Sequence, residues 1–150
     1  MIRIHKLIAT SLGIGYIGKG GGTVAAAVAA LVWYLFLAGG HPSNFWTVLF
    51  TVAITLLGIW SGTAVEPYWG KDDKKVVIDE VAGMFVTVLF VPVTPAYMLA
   101  GLVLFRFFDI VKPLYIRRTE ALPGGLGVMM DDIVAGIYSN ILLQLAIHLF

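Results

Sequence analysis

The chain has 150 residues, of which 59% are hydrophobic and 13% charged, with mean hydropathy +0.92 and a formal net charge of +1. So apolar a composition excludes an ordinary soluble surface, and the near-neutral charge argues against nucleic acid as a partner. No cysteine is present, which rules out disulfides, thiolate metal sites and cysteine nucleophiles.

In chain order, the first apolar run covers residues 7–18, is broken by Gly13 and Gly15, and leads into Lys19 without a small-residue cleavage pattern. As a helix it would extend only about 18 Å, so it reads as an interfacial or re-entrant segment. The charge-free stretch 20–65 has room for two crossings, at about 23–40 and 44–63, with Gly39, Gly40, His41, Pro42, Ser43 and Asn44 as the turn. The run Lys71, Asp72, Asp73, Lys74, Lys75 reads as a solvated loop attracted to anionic lipid. Apolar segments follow at about 76–92, 95–112 and 132–150. The expectation is an all-α polytopic membrane protein. It forms one membrane-embedded domain over residues 1–150, a bundle of about four transmembrane helices, with no linker or internal repeat.

All ten Lys and Arg residues lie on one side of these segments, and the connections around His41 and residues 92–95 carry none. Bases near a span resist translocation, which predicts a cytoplasmic N-terminus and a last residue outside, with His41 and His148 on the outer side. All nine carboxylates share the basic side, several of them inside the ends of apolar segments. An acid there is costly unless a partner or metal holds it, so the chemistry is expected at the inner membrane face.

Two motif-like strings are rejected. Gly13-Ile14-Gly15-Tyr16-Ile17-Gly18 fits a dinucleotide-binding glycine pattern, but positions 24–65 contain no acid to hold a ribose. Gly13 to Lys19 with a later Asp79-Glu80 imitates a nucleotide-hydrolase loop, yet Gly20 stands where a hydroxyl must ligate Mg²⁺. What remains is a set of acids, bases and glycines at the cytoplasmic helix ends. Asp79 and Glu80 fall in the first turns of one helix, and Asp131 and Asp132 begin the last helix after a glycine-rich turn at residues 123–127. Arg106, Asp109 and Lys112 are spaced three apart, on one third of a helix circumference. Each has a bland alternative: an N-cap, an intrahelical ion pair, a flexible turn. Their convergence at one depth points instead to hard oxygen ligands for Mg²⁺ beside bases for a phosphate. Lys19, with Gly20, Gly21, Gly22 and Thr23 leading into the next helix, offers further phosphate contacts through backbone N–H groups.

These strings carry a family resemblance. Gly22-Thr23, Lys71-Asp72, residues 77–83 (VIDEVAG), 105–113 (FRFFDIVKP) and 124–136 (GGLGVMMDDIVAG) together resemble phosphatidylglycerophosphatase A, over nearly the whole chain. The family usually has Pro where Gly20 or Gly21 stands and Pro in place of Asp73. The resemblance implies a Mg²⁺-dependent lipid phosphatase of the bacterial inner membrane that converts phosphatidylglycerophosphate to phosphatidylglycerol and inorganic phosphate. In the mechanism expected on these readings, Asp79, Glu80, Asp131 and Asp132 gather the metal. Lys19, Thr23, Arg106 and Lys112 bind the substrate phosphate, and Asp109 orients Arg106 or acts as general base. The acyl chains would enter from the membrane lipid between helices. A small ion channel or transporter subunit with a cytoplasmic acidic site is the alternative. Gly58 and Gly62 form a small-residue pattern suited to close packing, either within the bundle or in a homodimer.

Overall fold

The computed structural model describes residues 1–40 and 43–150; the expected outer-side position of His41 and the turn at Pro42 lie outside the described residues. Among the described residues the chain is helical, without strands. Helix α1 (Ile2–Ala9) leads through a 3₁₀ turn (Ile14–Ile17) into α2 (Gly21–Leu37), and α3 (Asn44–Trp69) follows. Then come α4 (Ile78–Val88), α5 (Pro95–Val111), the single turn α6 (Ile116–Thr119) and α7 (Gly124–Leu149).

Lengths divide the helices into two kinds. The 26-residue α3 and α7 are about 39 Å long and apolar enough to cross a membrane. The 17-residue α2 and α5 reach about 25 Å, and the 11-residue α4 only about 16 Å. Of the expected bundle of about four transmembrane helices, two among the described residues, α3 and α7, have the length and composition to cross, and α4 is too short to cross alone. The outward faces carry exposed Leu31, Leu35 and Phe36 on α2, Leu56 on α3, Leu99 and Val103 on α5, and Ile141 and Leu145 on α7. An apolar surface of that extent belongs against lipid or another protein.

One boundary also differs from the sequence expectation. The last helix begins at Gly124, so the glycine-rich string is helix and Asp131 is no N-cap. Its glycines serve packing: a Cβ at Gly125 would strike the α3 backbone at Ile59 and Thr63, and Gly62 faces Gly125 across the same contact. Gly125 N–H also donates to Thr63 Oγ1 at 2.9 Å. Gly58, packed against Met129 and Ile78, completes this inward face, so the small-residue pattern of α3 is consumed within the chain. At the other end α1 is an amphipathic helix lying on α3, with His5 stacked 4.1 Å from Trp60 and Lys6 over Tyr68 and Trp69. Ile4 and Leu7 remain exposed.

The short helix α4 is central, packed by α2, α3, α5 and α7. Ala26, Ala29 and Ala30 let α2 approach it, and Met84, Phe85, Val88 and Phe105 fill the space between. α4 and α7 run parallel and in register. Asp79 lies beside Asp132, Gly83 beside Gly136, and Thr87 beside Asn140. A Cβ at Gly136 would come within 2.5 Å of Gly83 O, so the crossing requires glycine. Where α4 stops, its free carbonyls are met by side chains of α7. Asn140 Nδ2 donates to Thr87 O at 2.9 Å and Leu89 O at 2.8 Å, and Gln144 Nε2 donates to Phe90 O at 3.2 Å. In apolar surroundings these amides do what water would do elsewhere.

Candidate metal and phosphate site

The parallel pairing of α4 and α7 assembles the site. Asp79, Glu80 and Asp132 each present a carboxylate oxygen within 4.8 Å of the others. Asp79 and Asp132 are buried, at 5% and 2% exposure, and α2 closes the third side, since a side chain at Gly22 would overlap the Glu80 carboxylate. One oxygen of each acid, Asp79 Oδ1, Glu80 Oε2 and Asp132 Oδ2, is buried without a hydrogen-bond partner. Three carboxylates so placed repel one another and could hold a cation among them.

The bases stand on the neighbouring side. Arg106 pairs with Asp109 and reaches Glu80 at 3.9 Å, while its Nε is buried and unpartnered. Lys112, at the left-handed end of α5 (φ 49°), pairs with Asp131, lies 3.8 Å from Asp109 and 3.2 Å from Glu120. The result is a continuous chain of charge running from Asp131 through Lys112, Asp109 and Arg106 to Glu80. Six carboxylates of this cluster, Asp79, Glu80, Asp109, Glu120, Asp131 and Asp132, face two bases, Arg106 and Lys112, a formal excess of four negative charges.

Asp131 is therefore not with the other three proposed ligands. Successive residues of a helix point about 100° apart, so Asp132 turns to α4 while Asp131 turns to Lys112 and accepts the Asp132 N–H at 3.0 Å. Lys19 and Thr23 are also outside the cluster. Both are exposed, and among the described residues no hydrogen bond or ion pair joins either to the carboxylates. Their contribution is indirect: Gly20 (φ 87°) sets the start of α2, and it is Gly22 that touches the site.

Two features went unread in the sequence. Glu120, between α6 and α7, closes on Lys112 from a loop whose position no local pattern predicts. The second was legible: Asp79-Glu80-Val81-Ala82-Gly83 and Asp132-Ile133-Val134-Ala135-Gly136 share the pattern D-x-V-A-G, a short internal repeat that marks the two paired helices. Beside the first turns of α7, a recess of about 270 Å³ is lined by Lys71, Asp72, Glu120, Gly127, Val128 and Asp131. The Asp72 carboxyl is pushed above the usual range by lost hydration, with Lys112 acting against the rise and Glu120 and Asp109 adding to it. Asp73 is held lower: slight burial works upward, but hydrogen bonds from the backbone and side chain of Lys75 outweigh it.

The profile of the phosphatidylglycerophosphatase A family matches residues 7–147. A Bacteroides thetaiotaomicron protein named "Putative phosphatidylinositol-3-phosphatase" is 41% identical over 145 residues, covering 93% of this chain and 91% of its own. Proteins named phosphatidylglycerophosphatase A are 34% identical in Haemophilus influenzae, over 92% of this chain and 85% of theirs, and 33% identical in Escherichia coli, over 89% and 77%. No solved structure matches the chain.

Proposed function

The chain belongs to the phosphatidylglycerophosphatase A family and is a phosphoric monoester hydrolase, and from that premise we propose that it removes the terminal phosphate of phosphatidylglycerophosphate, with Mg²⁺ held by Asp79, Glu80 and Asp132. The observation that carries the metal assignment is the set of three buried, unpartnered carboxylate oxygens. Hard oxygen donors of this kind, few in number and leaving room for water and phosphate oxygens, suit Mg²⁺. The chemistry such an ion supplies is neutralisation at the phosphoryl oxygens and activation of a water.

The residues around it divide the remaining work. Arg106 directs a planar fork at a phosphate lodged beside Glu80, and Asp109 positions that fork. Lys112 provides a second positive charge for the phosphate, and Asp131 and Glu120 hold it in place. With six acids against two bases, the cluster without a cation would repel an anionic substrate, so phosphate binding should depend on Mg²⁺. The bundle sits in the bacterial inner membrane with N-terminus and carboxylates on the cytoplasmic side. The basic loops support that orientation. A channel is disfavoured, because the acids close into one paired cluster instead of tracking along the bundle.

The 41% identity to the Bacteroides relative favours a second reading of the headgroup: a phosphoinositide monoester in place of glycerophosphate. Phosphate release by the purified protein from each lipid, with and without Mg²⁺, tests both. The expected result is metal-dependent release with phosphatidylglycerophosphate preferred. A metal-independent rate sinks the carboxylate mechanism, and preference for the phosphoinositide reassigns the substrate.

A further inference from the structure

Beyond Lys112 the charges change sign twice. Lys112 is held by Asp131 and by Glu120, the second at 3.2 Å, and both acids line the recess of about 270 Å³ together with Asp72 and Lys71. Asp72 lies close enough to Lys112 and Glu120 for their charges to act on its carboxyl. Among the described residues it forms no ion pair and accepts no hydrogen bond, so its oxygens are open to a donor. Lys71 and Asp72 also line a second recess, of about 510 Å³, to which Lys74 and Trp69 contribute. There Asp73 is paired with Lys75, whereas Lys71 and Lys74 form no ion pair among the described residues. The order is thus a base held for phosphate, an acidic recess, and two uncommitted bases.

An acidic recess repels a phosphate and suits a hydroxyl, which donates to carboxylate oxygens. A ligand that matches the whole order carries a phosphate monoester, then a free hydroxyl, then a second negative charge. The two headgroups weighed above share that unit. In phosphatidylglycerophosphate and in phosphatidylinositol 3-phosphate alike, three successive carbons bear a phosphodiester, a hydroxyl and a phosphate monoester. We propose that the recess beside α7 is the subsite for the leaving alcohol: Asp72 accepts a hydrogen bond from its middle hydroxyl, and Lys71 meets the phosphodiester on its far carbon. The inference rests on the function proposed above. Arg106 borders Glu80 and Lys112 borders the recess, so a phosphate shared by the two bases would place its alcohol on the side away from the carboxylate trio.

The test compares phosphatidylglycerophosphate with its counterpart in which propanediol replaces the headgroup glycerol, so that only the middle hydroxyl is missing, in matched mixed micelles with Mg²⁺. The parent is expected to prefer the hydroxyl-bearing lipid in kcat/KM by about tenfold or more, as for a hydrogen bond to a charged group. Asp72→Gly suits the left-handed backbone at that position (φ 55°) and deletes the acceptor. It should remove most of the preference; equal loss on both lipids, or a preference that survives, overturns the hydroxyl seat. Should Asp72→Gly not insert, the parent alone decides, because equal turnover of the two lipids refutes the subsite. Phosphatidylinositol 3-phosphate and its counterpart deoxygenated at the same carbon distinguish the two headgroups: the preference must appear on whichever is turned over faster, and its absence there is equally fatal. Lys71→Met should raise KM for phosphatidylglycerophosphate more than for phosphatidic acid, which has the monoester and no diester; an equal rise refutes the diester contact. A parent that releases no phosphate from any of these lipids fails at the functional reading itself, whereas release without a hydroxyl preference fails only here.

Discussion

Asp131 and Asp132 are adjacent and carry the same side chain, yet their surroundings separate their roles. Asp132 faces the buried trio and Asp131 faces Lys112. Asp132→Asn preserves shape while removing a ligand charge, so activity should fall at least about 100-fold and Mg²⁺ affinity with it. Asp131→Asn leaves the trio intact, and the expected change is a raised KM for the lipid with the metal titration unmoved. Isothermal titration with Mg²⁺ alongside kinetics separates the two, and identical metal affinities in both variants would remove Asp132 from the ligand set. Arg106 offers a second contrast. As a purely structural partner of Asp109, largely buried, it would show in stability, and Arg106→Lys would lower the thermal midpoint and spare kcat/KM. As a phosphate clamp its bidentate fork has no lysine equivalent, so kcat/KM should drop by about tenfold or more with the thermal midpoint unchanged.

At the level of helices, the site depends on how α4 ends as much as on how it begins. Asn140 bonds two carbonyls at the broken end of α4. Asn140→Leu keeps the volume and strands Thr87 O, which should cost about 1–3 kcal/mol. Thermal unfolding in detergent should show that loss, with Mg²⁺ affinity little changed; an unaltered midpoint would mean that water reaches the turn. The acids and bases of the site stood out in the sequence because charge is rare in this chain and its positions converge. The D-x-V-A-G repeat was equally present, but only the parallel crossing of α4 and α7 gives its glycines a purpose, since Gly83 and Gly136 meet across helices 53 residues apart in the chain. The start of α7 was misplaced because glycine and proline ordinarily signal a turn. Here Gly125 is inside a helix because the α3 backbone leaves no room for a side chain. Glu120 was not legible, because its role follows from a loop fold set by tertiary contacts.

For the whole molecule, orientation is the property most directly measurable, because the chain contains no cysteine and single thiols can be introduced without background. In spheroplasts, Phe150→Cys should react with a membrane-impermeant maleimide, and Lys74→Cys only after lysis; the reverse pattern would invert the bundle. The unequal helix lengths have a further consequence. The site lies at the very ends of α2, α4 and α5, yet Asp132 is about 12 Å above the start of α7 and Gly58 about 16 Å from the end of α3. A bilayer whose hydrocarbon is about 30 Å thick is crossed with about 9 Å to spare by α3 and α7 but exceeds α2 and α5 by about 5 Å. In the orientation proposed above, lipids along the α2 and α5 flank would compress to meet those helices, which would bring their headgroups toward the carboxylates. On that reading the thickness mismatch would favour approach from this flank, and bilayers of thinner lipid should relieve the deformation.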